Sequence, residues 1–512
     1  MRKGSFSGNS LQNFLTQLFI MGVAVVSVPY LVTRMGPELF GLLSLLWMFV
    51  GYFTIFDLGI GQAAVKFLAE SVGRGERDES IRLVRASSIL SGGVGLVSGC
   101  FVLVASLVGF ERLISVPDSL RDVAQLSLQL LAVGVPAALL QATLRGVPLA
   151  FNRFAIVNGL RAVAGLLQWG GSAIVLALGG GFLEVILLTV VTRYAILLIY
   201  VVVVQRLLPG VVGKRGIRLK GLWSRLVSFG GWVSVGQVIP PLMTFLERVF
   251  VAQLVALAWV TYYTVPNDVM IRFLVVPMSL AHTLVPFMSS RWVSEEGRVQ
   301  AKLLYLRSMK VVLVLMLPIA VTLGLFSHEI LDLWMGAEFA SYSSMLLTIL
   351  SAGLVWNTLA QLPNGALQAL GRPDVAAKIM LVQLPLYAVL SAVATALWGI
   401  VGTGAAWVVR VTVESVVLIV WTNLLLRGVR VDHDASYVWK TLALVAGVTI
   451  PMLLMKWYGA PLPLIAASGG AAGVLFGVAV WRLVLDDHER GLIRGFLPLP
   501  GRRREIPGEQ NP

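Results

Sequence analysis

Uninterrupted apolar runs of about 20 residues recur along almost the whole chain, each long enough to cross the hydrocarbon core of a bilayer as a helix. No other feature constrains the fold as strongly. In lipid, every backbone N–H and C=O needs a partner inside the protein, so only helices and closed barrels can span. The runs are continuous and do not alternate with period two, which removes the barrel. Composition agrees: 57% of the 512 residues are hydrophobic and 13% charged, against about a quarter charged in soluble domains. The sequence predicts an all-α polytopic membrane protein.

Glycine, proline and charge divide the runs into about fourteen spans, near 12–33, 39–60, 86–109, 123–147, 154–178, 182–206, 224–246, 254–288, 307–326, 343–369, 376–398, 402–426, 438–456 and 462–485. Arg2 and Lys3 precede the first run in the manner of a signal peptide. That run is too long for one and no small-residue cleavage site follows, so it reads as a retained span.

The net charge of +14 is mostly topology. One set of loops holds Arg74, Arg77, Arg82 and Arg85, then Lys214, Arg215 and Arg218, then Arg291, Arg298 and Lys302, then Arg427 and Arg430. The alternate loops hold little beyond Arg34, Arg112, Arg121, Arg248 and Lys456. The positive-inside bias therefore places both termini in the cytoplasm, in the cell (inner) membrane. Inner-leaflet lipids are the partners such a surface implies, and nucleic acid is not needed to explain it.

The longest basic connector, "RLLPGVVGKRGIRLKGLWSR" (206–225), divides the chain into a six-helix lobe over 1–212, a second over 213–430, and two further helices with a basic tail over 431–512. A weak repeat supports that division. "RGVPLAFNRFAIVN" (145–158) aligns without gaps on "NGALQALGRPDVAA" (364–377), pairing Arg153 with Arg372, and near the same offset "GLLS" at Gly41 faces "TYYT" at Thr261. An even number of spans per half makes the repeats parallel.

Chemistry is sparse. His282, His328, His433 and His488 are scattered, with no metal-ligand spacing. The single Cys100 reads as a small buried hydrophobe. No Ser-His-Asp arrangement or phosphate loop is evident, and the loops carry no catalytic cluster. The reading is a transporter and not an enzyme, with no cofactor and no metal.

Polar groups at membrane depth then become the informative residues, because each is costly in hydrocarbon and marks a cavity or bundle interior. Asn158, Arg161, Gly165, Gln168 and Ser172 share one helical face of span five. Thr189, Arg193 and Tyr200 share one of span six; Asn357, Gln361 and Gln368 form a stripe, as do Gln383, Tyr387, Ser391 and Thr395. Asp268 and Arg272 are i, i+4 neighbours, as are Arg410 and Glu414, so each pair can neutralise itself within one helix. Arg161 and Arg193 have no acid at i±3 or i±4, and an arginine fork suits phosphate oxygens. Asp57, in "YFTIFDLGIGQAAVKFLAE" (52–70), reads as a helix-end carboxylate or a gate, beside Gly59 and Gly61 where a helix can bend. Substrate-binding candidates are thus Arg161, Arg193, Asn158, Gln168, Arg272, Arg410, Asn357 and Gln361. Asp57, Asp268 and Glu414 are the gating or coupling candidates.

The stretch "PYLVTRMGPELFGLLSLLWMFVGYFTIFDLGIGQAAVKFLAE" (29–70) resembles the start of polysaccharide flippases of the Wzx type, within the multidrug/oligosaccharidyl-lipid/polysaccharide exporter (MOP) superfamily. "LERVFVAQLVALAWVTYYTVPNDVMIRFLVVPMSLAHTLVPFMSSRW" (246–292) and "EILDLWMGAEFASYSSMLLTIL" (329–350) resemble later parts of the same family. The family often has an aspartate where this chain has Glu247 and a glycine where it has Thr261. The resemblance implies two six-helix lobes around a central cavity, plus two C-terminal helices, working by alternating access. It implies a polyprenyl-diphosphate-linked oligosaccharide as cargo, with a glycan polymerase or glycosyltransferases as further partners. Cation-coupled drug efflux and lipid II flipping are the alternatives on the same fold. Efflux of cationic drugs would call for unpaired acids in the cavity.

Overall fold

The computed structural model describes residues 6–53, 67–68, 70–109, 116–211, 222–292, 294–431, 436–486 and 490. Ten of the described helices are long and apolar enough to cross a membrane. Two of these are too long for one crossing. Helix α1, Phe6–Phe53, has 48 residues, about 72 Å at 1.5 Å per residue against a core of about 30 Å. Its path breaks at Gly36, where φ is 79°, a conformation only glycine adopts freely. The other, Pro373–Leu425, breaks at Trp398–Gly399. Both breaks fall where the sequence put a loop between two spans.

The remaining first-half helices are α2 (Arg77–Val108), α3 (Arg121–Leu144), the short α4 (Gly146–Ala150), α5 (Phe154–Leu166), α6 (Ser172–Ala177) and α7 (Phe182–Leu207). A π turn, Leu167–Gly171, joins α5 to α6. Next come α8 (Leu222–Leu254), α9 (Leu257–Arg272), α10 (Val275–Arg291), α11 (Glu295–Leu325), α12 (Ser327–Met335), α13 (Ala337–Ala369) and α14 (Pro373–Leu425). Two last helices are α15 (Tyr437–Trp457) and α16 (Leu462–Ala479). The expected single span 254–288 is therefore two helices. Pro277 has no N–H to offer the Phe273 carbonyl, and the chain tightens there into short-range bonds from Phe273 N to Met270 O and Leu274 N to Ile271 O. Counting the α9–α10 pair as one crossing, the total agrees with about fourteen.

Small residues set the closest helix contacts. On α2, a Cβ added at Gly95 would lie 2.8 Å from Pro136 Cα, and one at Gly99 would lie 2.8 Å from Ala132 O, both on α3. This Gly-xxx-Gly face lets two backbones meet, which in lipid is the main route to tight association. Cys100, beside it, is exposed on the outer face of α2 with Val97, Phe101 and Val104. The expectation of a buried cysteine fails because α2 is peripheral and turns this side away from the bundle.

The two aligned segments form the same structure. Asn152 and Gly371 are both left-handed, with φ of 56° and 72°. Arg153 N bonds Pro148 O, and Arg372 N bonds Leu367 O; α5 and α14 then start at equivalent places.

The cores are distributed unevenly between the two ends of the bundle. A single apolar core joins α1, α3 and α7 to α9, α13 and α14 through Leu31, Leu46, Leu131, Val185, Tyr263, Leu350 and Trp407. These residues lie toward the end that carries Gly36 and Gly399, called here the far end. At the opposite, arginine-rich end the packing is split. One cluster holds Val84, Leu144, Tyr200 and Val204 from the first half; another holds Met288, Tyr305, Met316 and Leu362 from the second. The halves are thus welded at the far end and packed separately at the basic end.

Candidate functional site

Between the halves, α1, the π turn, α8, α9 and α12 enclose a cavity of about 340 Å³. Its walls carry Trp47, Trp169 and Trp334, with Gln168, Arg248, Asp268 and Arg272 among the polar groups. Trp47 and Trp169 pack edge to face with ring centres 5.2 Å apart, and the Trp47 indole N–H donates to Thr189 Oγ1 at 3.1 Å. The π turn places Gln168 and Trp169, adjacent in sequence, on the same wall; such turns re-aim side chains at working sites.

The charges differ from the local pairing expected. Asp268 does not pair with Arg272. It accepts instead from Arg248 of α8 at 2.7 Å, and the Arg248 side chain is only 6% exposed. The hairpin of α8 and α9 brings these two side chains together, whereas i, i+4 spacing merely permits contact. Arg272, in the last turn of α9, is half-buried in the cavity wall and donates to no acceptor among the described residues. Among the described residues the cavity thus holds one neutralised pair and one cation.

Next to Arg248 on α8 lies a second polar group. Glu247 is 0% exposed and accepts from Tyr263 Oη at 2.6 Å and Tyr387 Oη at 2.5 Å. The Arg410 guanidinium sits 5.1 Å from the Tyr387 ring centre and pairs with Glu414 at 3.1 Å. The expected pair Arg410–Glu414 is present. The Gln383–Tyr387–Ser391–Thr395 stripe faces this interior, and buried Gln383 Oε1 has no partner among the described residues. Asn267, one turn along α9 from Tyr263, is buried, and neither side-chain polar atom has a partner among the described residues. Glu247 entered the sequence reading only as a departure from the family; the signal was a carboxylate inside an apolar run.

The other candidates are placed as follows. Gln168 and Arg272 reach the cavity. Asn158 is buried on α5, on the face that Gly165 presses against Ile20 of α1. Arg193 shares a helix face with Thr189 and lies four residues toward the basic end, about 6 Å along α7. No acceptor takes its guanidinium among the described residues, though its carbonyl accepts from Gln141. Arg161 lies within electrostatic reach of Arg145 and Tyr200, deeper toward the basic end. Gln361 Nε2 donates to the backbone carbonyl of Asn357 at 3.2 Å within their own helix, and neither residue lines the cavity. Asp57 falls outside the described residues.

Comparison with known proteins follows this architecture. The family model described as polysaccharide biosynthesis protein matches residues 7–292, more than half of the chain, and the MatE model matches 233–393. A Shigella flexneri protein assigned as an O-antigen transporter is 25% identical over 80% of this chain and 96% of its own length. Haloferax volcanii Agl15, assigned as a low-salt glycan biosynthesis flippase, is 22% identical over 80% of this chain and 81% of its own. Among solved structures, an inward-facing multidrug resistance MATE family transporter of the MOP superfamily superposes with a TM-score of 0.67 at 15% identity, over 82% of this chain and 98% of that one. A MOP superfamily transporter from Pyrococcus furiosus gives 0.59 at 15% identity, over 83% and 97%. The fold is that of the MATE-type exporters, and the chain belongs to the polysaccharide biosynthesis protein family.

Proposed function

We propose that this protein is a flippase that carries a polyprenyl-diphosphate-linked oligosaccharide from the cytoplasmic to the outer leaflet for surface polysaccharide synthesis. The observation that carries the reading is the central cavity, walled by three tryptophans and holding the cation Arg272 beside a neutralised Arg248–Asp268 pair. Sugar rings present apolar C–H faces that pack on indole surfaces, while Gln168 and the ion pair can meet hydroxyl groups. Arg272, with Arg193 and Arg161 nearer the basic end, offers a track of cations to the diphosphate. A cationic drug would instead want an acid without a counterion, and Asp268, the acid in the cavity wall, is bonded to Arg248.

In this reading the protein sits in the inner membrane with both termini cytoplasmic. Residues 1–212 and 213–430 move against each other, and 431–512 add two helices and a basic tail. The welded far end faces outward, so the structure is the form that loads from the cytoplasm. Glu247, Asp268, Arg410 and Glu414 are the groups whose charge can couple transport to an ion, and Asp57 is a gate candidate. Membrane lipids surround it, and a glycan polymerase and glycosyltransferases act on either side of the step.

Complementation of a deletion strain tests the function. Loss of the gene is expected to strand lipid-linked oligosaccharide on the inner leaflet and deplete a surface glycan, and Arg272→Ala at matched protein level should restore little export. Normal glycan with raised sensitivity to cationic dyes would replace this reading with drug efflux.

A further inference from the structure

We infer that Trp334 is the latch of the outer gate, holding the two halves closed through a carbonyl that Pro29 leaves free. The inference rests on reading the molecule as an alternating-access transporter, and it gives a gating role to a residue that no polar stripe contains.

The acceptor comes from the chain itself. In an α-helix the carbonyl of residue 25 bonds the N–H of residue 29. Residue 29 is proline, inside α1, and has no N–H. The Val25 carbonyl is therefore left open at membrane depth, where an unsatisfied backbone group is costly. Trp334, on the short α12 of the second half, donates its indole N–H to that carbonyl at 2.8 Å. The bond crosses between the halves at the far end.

Neighbouring contacts close the same seam. Thr261 Oγ1 of α9 donates to Pro37 O of α1 at 2.5 Å. A Cβ on Gly41 would lie 2.5 Å from Leu257 O, so backbone meets backbone there. Gly41 and Thr261 are partners in the internal alignment and also touch each other, which places them near the axis relating the halves. Of these contacts the Trp334–Val25 pair lines the cavity, and Pro37, Gly41, Leu257 and Thr261 do not. The side chain that roofs the cargo site is the one that holds the gate, and cargo reaching the roof competes for the same indole.

The test reads the gate directly. With Cys100 replaced by serine, Ala24→Cys places a thiol in the cavity wall, 3% exposed in the closed form. A membrane-impermeant maleimide is added to right-side-out vesicles and the labelling rate is measured. Trp334→Phe keeps an aromatic ring and loses the donor; Pro29→Ala returns an N–H to Val25 O that competes with the indole for it. Each is expected to raise the rate about fivefold, the population change that one net hydrogen bond makes. The double variant should label no faster than either single, because both delete the same bond. Unchanged rates in Trp334→Phe overturn the latch, as do rates that multiply in the double. Acceleration by Pro29→Ala alone would assign the effect to backbone flexibility of α1, and the latch would again fall. Labelling is independent of cargo identity, so failure here leaves the glycan assignment standing, and failure of glycan complementation leaves the latch standing.

Discussion

At the scale of single residues, the buried charges of the second half are the most exposed to mutation. Arg410 and Glu414 side chains are each 14% exposed, so Arg410→Ala strands a carboxylate and should cost roughly 3–5 kcal/mol, read as a lowered melting temperature in detergent. Replacing both by alanine should recover part of that loss. Glu247→Ala leaves two buried tyrosine hydroxyls without their acceptor, at about 1–3 kcal/mol each in the same assay. Glu329, on α12 outside the spans, behaves differently. Burial pushes its carboxyl up, but the Lys456 ammonium, 2.6 Å away, outweighs this and holds it below the ordinary glutamate range. A depressed carboxyl stabilises the fold above its unfolded pKa of about 4.3 and ceases to as pH falls through the lower folded value. Melting temperature should therefore drop on acidification below pH 4 by a component that Lys456→Met lacks. The pair Arg410–Glu414 was legible because it is local in sequence. Arg248–Asp268 was not, since its partners are joined by a helical hairpin whose geometry spacing does not encode.

At the scale of elements, prolines that would break a soluble helix here create acceptors for neighbours. Pro29 frees Val25 O for Trp334, and Pro266 frees Tyr262 O, which takes the Ser343 hydroxyl at 3.0 Å. Glycines make the complementary contribution. Gly95→Val would drive a side chain into Pro136 and is expected to cost about 1–3 kcal/mol, whereas Gly93→Val, with nothing within 4 Å, should leave thermal stability unchanged. Existence of the spans was readable because apolar runs are all that lipid permits. The breaks at Gly36 and Gly399 were readable from punctuation. The π turn at 167–171 was not, because one extra residue in a turn leaves no mark on hydropathy. The split of α9 from α10 was also hidden, because a single proline in a long apolar run usually only kinks it.

At the scale of the whole molecule, orientation is the first thing to check. With Cys100 replaced, Ala337→Cys on the exposed start of α13 should react with an impermeant thiol reagent in intact cells, and Glu296→Cys should not; the reverse pattern would invert the topology. Charge distribution predicts this orientation, and the family resemblance supplied the two-lobe plan, but the arrangement of the cavity was only partly readable. Gln168 and Arg272 reach the cavity; Asn357 and Gln361 do not, and Gln361 bonds its own helix, since a polar stripe marks an interior without naming which one. The far-end core has a further consequence. Its seam is aliphatic and aromatic side chains with backbone-directed hydrogen bonds, and among the described residues no ion pair crosses it. Opening it to water exposes apolar surface and so carries a positive heat capacity, which bends the opening equilibrium with temperature. Ionic strength, which screens charge, has nothing to screen in that seam. The resting transporter should therefore be indifferent to salt at its far end, and its seal should loosen in the cold.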